Sequence, residues 1–180
     1  MPAKKVSSRL VIDASVARAA GDKDAKHEKS KSCRDFLRQV MAISYQIVMT
    51  PELKAEWDKH KSVFAQRWLA SMVAKKKLAY YGEIPQQEEL WQKIVMAIDG
   101  EKDRKAMEKD FLLLTAALAT DKTVISLDEK VRKMFDQAAE QVGELTAIVW
   151  VNPTQETEQA IDWLENGAKP DKERRLGFRE

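Results

Sequence analysis

Short apolar runs rich in β-branched residues alternate along the chain with longer stretches of helical spacing. Four of these runs predict strands: Val11-Ile12, residues 45–49, residues 123–127 and residues 146–151. Their apolar residues are consecutive, which is typical of strands buried on both faces of a parallel sheet. The pattern therefore predicts an α/β fold with a central, mainly parallel sheet covered by helices on each side.

Helix start signals divide the segments between these strands. Residues 22–32 are polar and rich in Lys and Ser, which predicts a loop, and Ser32 followed by Asp35 predicts a helix start. Thr50-Pro51 predicts a second start, because Thr caps helices and Pro suits the first helical position. The spacing of aromatic residues extends this second helix past residue 70.

Length and composition indicate one folded domain. The 180 residues are 44% hydrophobic and 33% charged, a balance typical of folded rather than disordered chains. We expect a single domain over residues 1–169 and a charged, flexible tail over residues 170–180. The 31 basic and 29 acidic residues leave a net charge of +2, so any binding to nucleic acid must use a local patch.

Cysteine and histidine are scarce, which limits the metal chemistry of the chain. One Cys excludes an internal disulfide and a multi-cysteine zinc site, and two His leave little room for a histidine-rich site. The apolar runs are far shorter than a spanning helix, and the N-terminus lacks a signal-peptide pattern. These features predict a cytoplasmic protein with no membrane partner.

Acidic residues follow two of the predicted strands. Asp13 comes directly after Val11-Ile12, and Asp128 follows the run that ends at Leu127. Ligands bind outside the carboxyl ends of strands in an open parallel sheet, although Asp is also common in ordinary turns. Asp110 precedes the apolar run 111–119, where it is either a helix N-cap or a side chain aimed over the core.

A further pair of acids lies on the helix that begins at Pro51. Glu52 and Glu56 are one turn apart on one helix face, where stabilisation by the helix dipole is the simpler explanation. Carboxylates that converge on one cleft repel each other unless a cation neutralises them. Mg²⁺ and Mn²⁺ prefer such oxygen ligands and can promote in-line displacement at phosphorus.

Three segments, taken in this order, resemble the PIN-domain family and its VapC-like ribonucleases. They are Val-Ile-Asp-Ala-Ser at 11–15, Thr-Pro-Glu-Leu-Lys-Ala-Glu-Trp at 50–57, and residues 109–129. The resemblance covers most of residues 9–151. It implies a three-layer α/β/α fold and a metal-dependent endoribonuclease that acts on single-stranded or structured RNA, often as the toxin of a toxin–antitoxin pair.

The resemblance also implies roles for individual residues. Ser15 would be a small hydroxyl companion, and the Mg or Mn ions would be held by four catalytic acids: Asp13, Glu56, Asp110 and Asp128. Glu52 is the rival for the second of these acids. The family often places another acid two residues after the fourth, and Lys130 stands there instead.

We therefore expect an endoribonuclease that leaves 5′-phosphate and 3′-hydroxyl ends. Its expected partners are the RNA substrate, an antitoxin protein if the chain is a toxin, and a second copy in a homodimer. The alternative is a PIN-like RNA-binding or protein-assembly module with weak or no catalysis. Lys130 and the long segment at residues 70–109 favour that alternative.

Overall fold

Five short strands form the centre of the computed structural model, which describes residues 9–22, 24–60 and 62–179. The strands are β1 (Arg9–Ile12), β2 (Gln46–Met49), β3 (Leu78–Tyr80), β4 (Thr123–Ile125) and β5 (Val149–Val151). They pair in the order β3-β2-β1-β4-β5, and every neighbouring pair is parallel. The predicted parallel sheet is confirmed.

Eight α-helices in the described part of the chain cover the sheet and give a three-layer α/β/α fold, as predicted. They are α1 (Ala14–Ala20), α2 (Glu28–Ala42), α3 (Pro51–His60), α4 (Val63–Ala74), α5 (Glu88–Ala97), α6 (Glu101–Leu118), α7 (Glu129–Ala139) and α8 (Ala160–Glu165). Helices α1, α2 and α4 pack on one another, and α8 packs on α2. Helix α6 packs on β1 and β4 and against α7.

The central strands consist of consecutive apolar residues because helices cover both faces of the sheet. Leu10, Val11 and Ile12 of β1 are at most 1% exposed, and Val124 and Ile125 of β4 are fully buried. A strand with helices on both faces has no solvent side, so alternation with polar residues is lost. This burial is why the central strands can be recognised in the sequence, whereas β3, whose residues are half-buried or exposed, lies outside the four predicted runs.

The chain reverses its direction across the sheet between β1 and β4. From β1 it proceeds outward to β2 and β3, and α5 and α6 then return it to the other side of β1 for β4 and β5. Val11 pairs with Val124 and Ile12 with Ile125, so β1 and β4 end side by side. Such a switch point opens a crevice at the carboxyl edge, where ligands of α/β proteins bind.

Helix boundaries in the first half of the chain differ from the predictions at two places. Helix α2 begins at Glu28 with His27 as its N-cap, rather than near Ser32. The single long helix predicted from Pro51 is two helices, because Ser62 caps α4 by accepting a hydrogen bond from the Ala65 N–H. The Ser62 hydroxyl also donates to the Ala17 carbonyl at 2.7 Å, which fixes the break against α1.

The C-terminal segment also differs from the prediction, since its described part, residues 170–179, is packed rather than a flexible tail. Leu176 is 1% exposed, and its N–H donates to the Ile148 carbonyl at 2.9 Å. Arg175 pairs with Val149 in an isolated antiparallel bridge. One apolar side chain therefore anchors this charged stretch to β5. Within the described ranges, none of the helices is both long and apolar enough to cross a membrane.

Two fully buried tryptophans differ in their hydrogen bonding. Trp57 stacks on Trp68 with their ring centroids 5.9 Å apart, and the indole Nε1 of Trp57 donates a hydrogen bond to the Ile12 carbonyl at 2.8 Å. Trp150 packs against Phe135 at 6.1 Å, and its Nε1 has no acceptor among the described residues. Trp57 therefore ties α3 to the last residue of β1, whereas Trp150 contributes packing alone.

This difference predicts unequal effects of the same substitution. Trp57→Phe and Trp150→Phe remove a similar volume, but only Trp57→Phe removes a hydrogen bond to a buried carbonyl. Trp57→Phe should therefore lower the free energy of unfolding by about 1–3 kcal/mol more than Trp150→Phe, measured by urea denaturation. Equal losses in the two variants would show that the indole hydrogen bond contributes nothing.

Candidate active site

The four acids predicted as site residues surround one cleft at the carboxyl edge of the sheet. The cleft has a volume of about 680 Å³ and is also lined by Ser15. Each acid comes from a different element: Asp13 follows β1, Glu56 lies on α3, Asp110 lies on α6 and Asp128 precedes α7. The fold thus gathers residues that are as much as 115 positions apart in sequence.

Asp13 is held by two hydroxyl groups at the end of the central strand. Its Oδ2 accepts hydrogen bonds from Ser15 Oγ at 2.7 Å and from Ser126 Oγ at 2.9 Å. Burial raises the pKa of Asp13, and these two hydrogen bonds oppose the rise because they stabilise the charged form. Ser15 therefore has the position of a hydroxyl companion to the first acid.

Ser126 is a site residue that the sequence reasoning missed. It is fully buried and directly follows β4, and its Oγ accepts a hydrogen bond from the Asp128 N–H at 3.1 Å. Ser15 Oγ accepts from the Leu127 N–H at 3.1 Å. The only signal in the sequence is a hydroxyl residue inside the apolar run 123–127. The two hydroxyls link Asp13 to the loop that carries Asp128.

Asp128 combines an ordinary structural role with its place in the cleft. Its Oδ1 accepts a hydrogen bond from the Val131 N–H at 3.0 Å, which makes it the N-cap of α7. Asp128 therefore has a local structural role, as the turn explanation expects, in addition to its place in the cleft. Lys130, where the PIN family often has another acid, is exposed and is not among the residues that line the cleft.

Asp110 lies well inside α6, so the alternative role of an N-cap is wrong. The charged segment 101–109 forms the first half of that helix. Burial, together with the charges of Asp13 and Asp128, raises the pKa of Asp110 to about 7, while Lys109 opposes the shift. A carboxyl group with this pKa can gain or lose a proton near neutral pH.

The structure separates the two rival glutamates. The Glu56 side chain is 24% exposed, lines the cleft and lies 3.6 Å from Lys59 Nζ and 3.8 Å from His60 Nε2. Glu52 is exposed and lines a different pocket, together with Trp91 and Phe111. Glu56 is therefore the acid of α3 that shares a cleft with the three aspartates.

The donor chemistry of the cleft suits a hard cation, although the side chains do not form a complete cage. Within the described ranges, no group of three or more acidic, His or Cys side chains is arranged to hold a metal ion. Mg²⁺ usually keeps several waters and is held by only one or two carboxylates, so a cage of protein ligands is not required. Carboxylate oxygens are also the ligands that Mn²⁺ accepts.

Comparisons with known proteins do not assign the chain to a family. A scan against protein-family models found no match, and a search of curated proteins found none either. The PIN-domain resemblance of residues 11–15, 50–57 and 109–129 therefore stays a prediction. The functional assignment rests on the chemistry of the cleft.

The raised pKa of Asp110 predicts how stability depends on pH. Between its ordinary value of 3.8 and about 7, the folded protein binds more protons than the unfolded chain, so stability falls as pH rises through this window. Asp110→Asn mimics the protonated group. In EDTA at pH 8 the variant should have a free energy of unfolding about 1–3 kcal/mol above wild type, since one pKa unit is worth about 1.4 kcal/mol before solvent screening.

Urea denaturation of both proteins from pH 4 to pH 8 measures this difference in the free energy of unfolding. The difference should vanish toward pH 4, where Asp110 of the folded protein is almost entirely protonated. Glu108→Gln, on the same helix but outside the cleft, is the matched control and should change stability little at any pH. Lower stability of Asp110→Asn at pH 8 would instead make Asp110 a structural acid.

Proposed function

We propose that the protein is a metal-dependent endoribonuclease of PIN type that hydrolyses RNA phosphodiester bonds. One observation carries the proposal: Asp13, Glu56, Asp110 and Asp128 face one cleft at the switch point of a parallel sheet. Like charges at close range destabilise the folded state, and titratable groups with strongly shifted pKa values cluster at functional sites. A cleft of this kind is therefore better explained by chemistry than by stability.

The same four acids would hold Mg²⁺ or Mn²⁺. When bound, such an ion supplies Lewis-acid chemistry that activates water and stabilises negative charge developing at phosphorus. The Ser15 and Ser126 hydroxyls fix the Asp13 carboxylate by donating to the same oxygen, Oδ2. Hydrogen-bond donors of this kind orient a metal-ligating carboxylate before the cation binds and reduce the cost of reorganisation.

Asp110 is suited to the proton transfer that hydrolysis requires. Its pKa is raised to about 7 in the metal-free cleft, and a bound cation would lower it and keep the carboxylate ionised, which is the form that accepts a proton. In the proposed reaction its carboxylate accepts the proton of the attacking water. The bond between phosphorus and the 3′-oxygen breaks, the leaving 3′-oxygen takes a proton from solvent water and ends as a hydroxyl, and the 5′-phosphate stays on the other fragment.

A second candidate function is a PIN-like RNA-binding or protein-assembly module with weak or no catalysis. The exposed Lys130 favours it, as does the lack of a ready three-ligand group within the described residues. If the protein is a toxin, it needs an antitoxin partner, and a small antitoxin-like reading frame beside the gene would support that role. A homodimer is compatible with either function.

The nuclease proposal predicts a specific order of activity among variants. Cleavage of a mixed RNA panel should require Mg²⁺ or Mn²⁺ and stop in EDTA, and Asp13→Asn should abolish it. Glu56→Gln should reduce kcat/KM by at least about tenfold, or roughly 1.4 kcal/mol of transition-state stabilisation. Glu52→Gln is the matched control on the same helix and should stay within about twofold, because Glu52 lines another pocket.

Two results would contradict this proposal. Wild-type protein that binds RNA but shows no EDTA-sensitive cleavage would favour the binding module. Equal cleavage by wild type and Asp13→Asn would show that the activity comes from a contaminating nuclease or from another site.

A further inference from the structure

The cleft that carries the four acids is also lined by two exposed cations, Arg18 and Lys109. Arg18 lies one turn after Ser15 on α1, and Lys109 directly precedes Asp110 on α6. Both side chains are exposed, and no hydrogen bond or ion pair joins either of them to another described residue. His60 also lines the cleft, but it is paired with Glu56.

A polyanionic substrate meets an electrostatic barrier at this cleft. An RNA strand carries one negative charge per phosphate, and four carboxylates face the space that the strand must enter. A divalent cation offsets that repulsion only near itself. The phosphates on either side of the cleaved one need their own positive partners, which are the usual source of affinity for nucleic acids.

The remaining lining offers nothing on which a base could stack. Among its described residues there is no Phe, Tyr or Trp, and much of the surface is formed by small residues: Ala14, Ala19, Gly21 and Ala106. Proteins that hold single strands by their bases use aromatic side chains as stacking surfaces. Apart from Arg18 and His60, whose planar groups can also lie against a base, the described lining therefore offers contacts mainly for the sugar-phosphate backbone.

We propose that Arg18 and Lys109 bind the phosphates that flank the cleaved phosphate, so that the cleft takes an RNA strand by its backbone, with little preference for base sequence. This proposal rests on the nuclease function proposed above. The Arg18 guanidinium can donate two parallel hydrogen bonds to one phosphate, whereas Lys109 supplies a point charge. They are positioning residues: phosphate contacts set affinity and register, and the acids perform the reaction.

The test is direct binding without cleavage. Fluorescence anisotropy with Ca²⁺ in place of Mg²⁺ or Mn²⁺ follows labelled RNA strands of about 12 nucleotides and different sequences, with salt varied from about 50 to 300 mM. Arg18→Gln and Lys109→Gln should each weaken binding about three- to tenfold for every sequence. Each should also reduce the slope of log affinity against log salt by about 0.7, the value for one phosphate contact on a single strand. Arg18→Lys should restore most of the salt slope.

Lys75→Gln is the matched control. Lys75 is an exposed lysine just before β3, at the opposite edge of the sheet, and it is not among the residues that line the cleft. Its removal should change neither affinity nor slope. A DNA strand of the same sequence should lose affinity by the same factor in Arg18→Gln and Lys109→Gln, because its phosphates are the same.

Losses in Arg18→Gln and Lys109→Gln no larger than in Lys75→Gln would overturn the proposal, as would losses confined to one base sequence or to RNA alone. The outcome is separable from the nuclease proposal. If the protein cleaves RNA but the two variants bind RNA as tightly as wild type, only the proposed phosphate contacts are refuted. If wild-type protein binds RNA through Arg18 and Lys109 but never cleaves it, the nuclease function is refuted and the proposed phosphate contacts stand.

Discussion

The arrangement of the site depends on the hydrogen bonds of one half-buried carboxylate. Asp13 lies at the end of the central strand, where desolvation of its charge is costly unless hydrogen bonds replace the lost water. Ser15 and Ser126 donate to its Oδ2 at 2.7 Å and 2.9 Å, and their own oxygens accept backbone N–H groups of Leu127 and Asp128. The interaction that satisfies Asp13 therefore also fixes the loop after β4, and with it the position of the fourth acid.

The parallel pairing of β1 with β4 makes this network geometrically available. Ile12 and Ile125 pair in register, so the residues that follow them emerge together at the carboxyl edge. Helix α6 packs across the same two strands and brings Asp110 to the crevice between them. Crowding of acids in a partly buried space then raises the pKa of Asp110. The fold thus creates an electrostatic strain that a bound divalent cation would relieve.

The sequence predicts the acids that lie next to buried strands better than it predicts their surroundings. Asp13 and Asp128 could be placed because the apolar runs before them have no solvent-facing position. The sequence leaves Asp110 as either a helix N-cap or a side chain aimed over the core, because the apolar run begins only after it and the charged run 101–109 precedes it. Glu, Lys, Arg, Ala and Met in that run are nevertheless strong helix formers, so it extends α6 toward its N-terminus.

Contacts between distant segments explain the remaining differences. Ser126 acts on Asp13 across 113 positions, and no local pattern indicates such a partner. The segment after Pro170 has the composition of a flexible tail, yet Leu176 fits into the core beside β5. Short helix α1 is built largely from Ala and small residues, which gives little amphipathic signal. In each case the stabilising contacts join segments that are distant in sequence, and they form only after the sheet has formed.

The most direct test of the account is to locate a divalent cation by anomalous diffraction from crystals containing Mn²⁺. The account predicts an anomalous peak inside the cleft, within coordination distance of at least one of the Asp13, Asp110 and Asp128 carboxylates, and no such peak in crystals of Asp13→Asn. Well-ordered Mn²⁺ only at other surfaces of the wild-type protein, with the cleft empty at saturating metal, would contradict the central claim that these acids form a metal centre.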